Sequence, residues 1–151
     1  MRSLRSSSAA AALLLSFAPA MAASAADLGP PIEAAIKVQN ARWADAFRRG
    51  DYDAIGQLYS RDGELLPPGA GRVRGRVAIA RYFAKAYAGT APGSVSFSNE
   101  EFYGDDRAVT EVSDALVRAH DGRLQIHAKQ TLVFLKRHGV WKLHRDMWNS
   151  Y

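Results

Sequence analysis

The chain has 151 residues and no cysteine, so it carries no disulfide framework, no thiolate nucleophile and no cysteine-based metal site. Lysine and arginine number 20 against 15 acidic residues, and this modest excess lacks the basic stripe with interleaved aromatics expected of a nucleic-acid binder. A chain of this length fits one domain with a substantial core.

Arg2 and Arg5, the apolar run Ala9 to Phe17, and the small-residue triplets Ala20-Met21-Ala22 and Ala23-Ser24-Ala25 form the three zones of a secretory signal peptide. Cleavage after Ala25 is expected, leaving residues 26–151 as a single periplasmic or secreted domain. The apolar run is too short to span a bilayer, so no membrane anchor is expected. Removing residues 1–25 leaves 18 basic against 15 acidic side chains, a net charge of about +3.

Pro30 and Pro31 suit the first turn of a helix, and Ile32, Ile36, Trp43 and Phe47 then recur at helical spacing up to Gly50. Asp51 offers a cap for a short second helix carrying Ile55, Leu58 and Tyr59 on one side. Glu64 to Leu66 reads as a brief strand stopped by Pro67 and Pro68. A third helix follows Gly75, with Ile79, Phe83 and Tyr87 on one face. Beyond the Gly89 to Gly93 loop the period changes to two at Val95 and Phe97. Long strands are expected at Arg107 to His120, Arg123 to Arg137 and Val140 to Trp148, joined by turns at Asp121-Gly122 and His138-Gly139. Helices first and an antiparallel meander afterwards predict an α+β fold, a curved antiparallel sheet wrapped around the long N-terminal helix as an open cone with two further helices. The mouth of such a cone is a natural place for a ligand.

The segments Gly50-Asp51-Tyr52-Asp53-Ala54-Ile55, Leu65-Leu66-Pro67-Pro68-Gly69, Arg74-Gly75-Arg76-Val77-Ala78-Ile79 and Trp141 to Asn149, in this order and spacing, resemble the nuclear transport factor 2-like superfamily of ketosteroid isomerase and SnoaL-like proteins. The resemblance covers essentially the whole mature chain and is strongest to small secreted SnoaL-like proteins. It implies the cone fold more securely than any chemistry, because the superfamily includes isomerases, dehydratases, cyclases and non-catalytic association domains. The catalytic groups of ketosteroid isomerase are not retained. Its oxyanion-hole tyrosine falls on Trp43, its general-base aspartate on Pro67, and its hydrogen-bond-donating aspartate on or near Thr131.

A different polar set takes their place. The resemblance puts Trp148 in a pocket-lining position, and strand alternation then turns Asp146 and His144 inward with it. With His138-Gly139 as a two-residue turn, Thr131 stands opposite Asp146 and Lys129 opposite Trp148. The Asp121-Gly122 turn sets Asp114 opposite Lys129, and Glu111 opposite Leu132 on the other face. A bulge in the first long strand would reverse that choice and bring Glu111 inward. The expected ligand-binding set is therefore Trp43, Tyr59, Phe83, Asp114, Lys129, His144, Asp146 and Trp148, with Glu111 in reserve.

A carboxylate, an ammonium and an imidazole between indole walls could polarise a carbonyl or move a proton, or could form a satisfied buried network. His120, His127, His138 and His144 are too scattered for a metal site, and no cofactor is expected. The leading expectation is an exported domain that binds a small hydrophobic molecule, with isomerase or lyase chemistry on a carbonyl compound as its enzymatic form. The alternative is a non-catalytic association module with a vestigial cavity. A homodimer is expected through a convex face bearing Leu124, Ile126, Leu132, Phe134, Trp141 and Leu143.

Overall fold

The computed structural model describes residues 28–90 and 93–151, so the signal-peptide pattern and its cleavage site lie outside the described part of the chain. Pro30 opens helix α1 (Pro30–Arg48), where a missing amide hydrogen costs nothing, and the helix buries Ile36, Asn40, Ala46 and Phe47. Asp51 caps α2 (Tyr52–Leu58) by accepting from the Ala54 amide at 3.0 Å. The backbone turns extended at Tyr59, and strand β1 (Tyr59–Leu66) starts there, five residues earlier than the brief strand expected. Tyr59 therefore leaves the apolar side of α2 and becomes a core residue of the sheet, with 0% of its surface exposed.

After β2 (Val73–Arg74), α3 (Arg76–Ala86) buries Ile79, Ala80 and Phe83. It crosses α2 so closely that a Cβ at Gly56 would stand 2.7 Å from the Arg76 carbonyl oxygen. Four long strands follow: β3 (Ser94–Gly104), β4 (Ala108–Arg118), β5 (Leu124–Arg137) and β6 (Val140–Ser150). The six strands form one sheet in the order β2-β1-β6-β5-β4-β3. The neighbouring pairs are antiparallel except β1 and β6, which run parallel. No helix among the described residues is long and apolar enough to cross a membrane.

Register decides which side chains enter the cone. The β4–β5 pairing is as the turn predicts, with Asp114 opposite Lys129 and Glu111 opposite Leu132. The β5–β6 pairing follows the His138-Gly139 turn only as far as Phe134 opposite Leu143. Val133 then pairs with Arg145, leaving His144 as an extra residue. Beyond this bulge Asp146 stands opposite Leu132 and Trp148 opposite Gln130, in place of the expected Thr131 and Lys129. One inserted residue exchanges the two faces of a strand, so the residues paired with Asp146 and Trp148 point inward and Asp114 and Lys129 point outward.

The same parity change corrects the expected convex face. Ile126, Leu132, Phe134 and Leu143 line the interior, and Trp141 is buried. Of that set only Leu124 is exposed.

Candidate functional site

Between α1, α3 and the inner face of β3 to β6 lies a cavity of about 350 Å³ with a predominantly apolar wall. Helical spacing puts Asn40, Trp43 and Phe47 on the inner side of α1, and Tyr82 and Phe83 come from α3. The rings hold one another in place. Trp43 stacks on Phe47 at 5.0 Å, meets Phe83 edge-on at 5.4 Å, and Tyr82 meets Trp148 edge-on at 6.4 Å.

Asp146 is the carboxylate on this wall, and it is 7% exposed. Tyr59, directly behind it, donates its hydroxyl proton to Asp146 Oδ2. Burial pushes the Asp146 carboxyl up to about 6 from an ordinary 3.8, against the opposing effect of the Tyr59 bond and with help from the charge of Glu111. Burial also drives the Tyr59 phenol well above its ordinary value, and the charge of Asp146 adds to the rise. The Trp43 indole beside it opposes that rise, although its buried Nε1 completes no hydrogen bond of normal geometry.

A second polar chain runs from α1 across β4 to β5. Glu111, with 0% of its surface exposed, accepts from Asn40 Nδ2 at 2.7 Å and from Ser113 Oγ at 2.7 Å. Gln130 Nε2 donates to Ser113 Oγ at 3.0 Å, and Asn40 Nδ2 also lies 3.4 Å from Glu100 Oε1. Burial raises the proton affinity of Glu111, and the two short bonds oppose it. Asn40 and Gln130 reach the cavity, so both ends of this chain meet whatever fills it.

Of the residues expected at the site, Trp43, Phe83, Asp146 and Trp148 line the cavity together, and Tyr59 supports Asp146 from behind. The other three lie elsewhere because of the β6 bulge. Asp114 is on the outer face, accepting from Asn99 Nδ2 at 2.7 Å and from the Tyr151 hydroxyl at 3.2 Å. Lys129 is exposed beside it, its Nζ 5.4 Å from the centre of the Tyr151 ring. His144 sits at the bulge, its Nδ1 2.9 Å from Ser60 Oγ and its Nε2 2.8 Å from an Arg145 guanidinium nitrogen. Glu111 does turn inward, through the bulge in β6, while β4 pairs evenly with β5 from Ala108 to Val117.

Four residues of the site were not picked out in the sequence. Asn40 could have been, since it falls three before Trp43 and seven before Phe47 on one helical face. Tyr82 precedes a recognised core residue and carries no separate signal. Ser113 and Gln130 become meaningful only once Glu111 is known to face inward.

The SnoaL-like domain family matches residues 40–144. No curated protein matches the chain. Among solved structures, a protein of unknown function with a cystatin-like fold from Nostoc punctiforme superposes with a TM-score of 0.75 at 20% identity, over 82% of this chain and 94% of that one. A nuclear transport factor 2-like protein with a cystatin-like fold from Novosphingobium aromaticivorans gives 0.66 at 20% identity, over 77% and 79%. A ketosteroid isomerase-like protein from Erwinia carotovora atroseptica gives 0.64 at 19% identity, over 78% and 94%. At these identities the structures share the fold, and the family match, spanning over half of the sequence, supplies the rest: the chain belongs to the SnoaL-like domain family.

Proposed function

We propose that the cone binds a small hydrophobic molecule and that Asp146 exchanges a proton with it, as an isomerase or lyase acting beside a carbonyl group would. One observation carries this reading: a carboxylate with a proton affinity near 6, held by Tyr59, forms part of the wall of an aromatic cavity of about 350 Å³. A base is most effective when its affinity lies close to the working pH, and this one lies within reach of neutrality. Asp146 accepts the proton from the carbon next to the carbonyl. Returning it to another carbon gives an isomer, and loss of a leaving group from the neighbouring carbon gives an elimination.

Deuterium incorporation into acetophenone and cyclohexanone in heavy water tests the chemistry. The wild-type chain should accelerate exchange and Asp146→Asn should not. Equal rates in the two would refute Asp146 as the base.

Export and pairing belong to the same proposal. The N-terminal zones support a secreted or periplasmic domain. An outer sheet face on which Val112 is 39% and Met147 43% exposed, in one row with Thr131, supports a homodimer.

A further inference from the structure

The cavity wall contains one formally charged side chain, Asp146, and among its described residues no lysine, arginine or histidine. A second carboxylate, Glu111, lies behind that wall, and its hydrogen-bond partners Asn40 and Ser113 are both neutral. Lys37, whose field reaches Glu111, pairs with Glu100 at 3.3 Å. The chain treats its other buried glutamate differently. Glu64, on the outer side of the sheet, has Arg72 at 3.5 Å, Arg74 at 3.6 Å and Arg145 at 3.7 Å. Negative charge is thus neutralised by arginines at one buried position and left without a cation at the cone.

We infer that the molecule the cone takes is a hydrophobic cation, a small ring compound bearing a basic nitrogen, whose ammonium supplies the charge that the wall lacks. The inference rests on the reading of the cone as a small-molecule site. A neutral occupant would expel water from Asp146 and either leave an anion in a dry apolar box or oblige it to take up a proton, and in neutral to alkaline solution both are costly. An anionic occupant would add a like charge to the same box. An ammonium is attracted both to the carboxylate and to ring faces such as those of Trp43, Phe83 and Trp148. It would also offset the negative charge that builds on a carbonyl oxygen when Asp146 removes a proton, a task for which the wall provides no cation.

Three probes of one skeleton separate the possibilities: phenethylamine, phenethyl alcohol and phenylacetate. Each is titrated into the whole chain at about pH 8, where the amine is protonated and Asp146 ionised, and binding is read from tryptophan fluorescence and calorimetry. Phenethylamine should bind about tenfold more tightly than the alcohol, and phenylacetate should not bind measurably. In Asp146→Asn the amine should lose most of that advantage while the alcohol still binds. If that variant does not fold, the ranking of the three probes on the wild type decides alone. Alcohol binding equal to or tighter than amine binding would overturn the inference and leave the cone a small-molecule site. Failure of all three to bind would overturn the small-molecule reading together with it.

Discussion

Glu111 and Asp146 stand on either side of Leu132, so two buried carboxylates share one row across β4, β5 and β6. With neighbouring strands about 4.8 Å apart, their backbones are separated by roughly 10 Å across apolar surroundings. Asp146 therefore feels the charge of Glu111, which helps to raise its proton affinity.

Asp146 should cost the fold stability at neutral pH. It binds its proton more tightly folded than unfolded, about 6 against 3.8, so the folded state carries more protons between those values. Stability then declines as pH rises through that interval, and the penalty is complete above it. Two pH units correspond to about 3 kcal/mol at most. Asp146→Asn keeps an acceptor for Tyr59 and should be more stable than the wild type by about 1–3 kcal/mol at pH near 8, with the difference vanishing near pH 4. Urea denaturation of both proteins across this range measures it, and a constant difference would refute the assignment.

Removing the charge of Glu111 should pull the Asp146 proton affinity below about 6, because that charge is one of the causes of its rise. Glu111→Gln retains an acceptor for Asn40 or Ser113, whereas Glu111→Ala strands both donors and should cost about 2–4 kcal/mol. Carboxyl-carbon NMR titration of Asp146 in the glutamine variant reports the coupling. An unmoved midpoint would show that the two groups do not communicate.

Deleting His144 should remove the bulge while Asp146 stays opposite Leu132 and Trp148 opposite Gln130, both facing the cone. Binding of a cone ligand and the tryptophan emission should then be retained; lost binding with a red shift, as Trp148 meets water, would overturn this register. The histidine itself should titrate below 6.5, because burial and then the Arg145 guanidinium disfavour its charged form. Its contribution to stability is therefore complete above that pH and declines as pH falls through the interval beneath it. Histidine proton NMR checks the midpoint, and a value above 6.5 would contradict this environment.

Charges placed at Val112 and Met147 should separate the proposed dimer. Both are exposed on the outer face and neither touches the cavity, so Val112→Glu with Met147→Glu should leave the fold intact. Light scattering should give twice the chain mass for the wild type and the single mass for the double variant. A wild-type monomer would remove the pairing proposal.

The helices were legible because their apolar residues recur at helical spacing between identifiable stops, as with Ile32, Ile36, Trp43 and Phe47 before Gly50. The β4–β5 register from Ala108 to Val117 was legible from the Asp121-Gly122 turn signal, although the turn itself is longer and the pairing shifts beside it, between Val117 and Arg118. The β6 bulge was not, since nothing in Leu143-His144-Arg145 distinguishes a bulged residue from a paired one, yet its parity decides every inward residue beyond it. Tyr59 was assigned to the site through its apolar neighbours in α2. Its partnership with Asp146 arises from the parallel approach of β1 to β6, across 87 positions of sequence that no local pattern encodes.

That parallel pairing also governs when the molecule can close. The strand between β1 and β5 is β6, so the centre of the sheet comes after the other five strands in chain order. Until it arrives, β1 and β5 each present an unpaired edge, and the first half of the chain meets the meander mainly through α1 on β3. Loop closure over this separation makes folding slow and postpones it until β6 is available. A chain ending at Gly139 should accordingly show no cooperative unfolding transition by circular dichroism; a sharp one would mean that the N-terminal half folds unaided. In the export proposed above, a keystone strand that comes after the other five keeps them threadable.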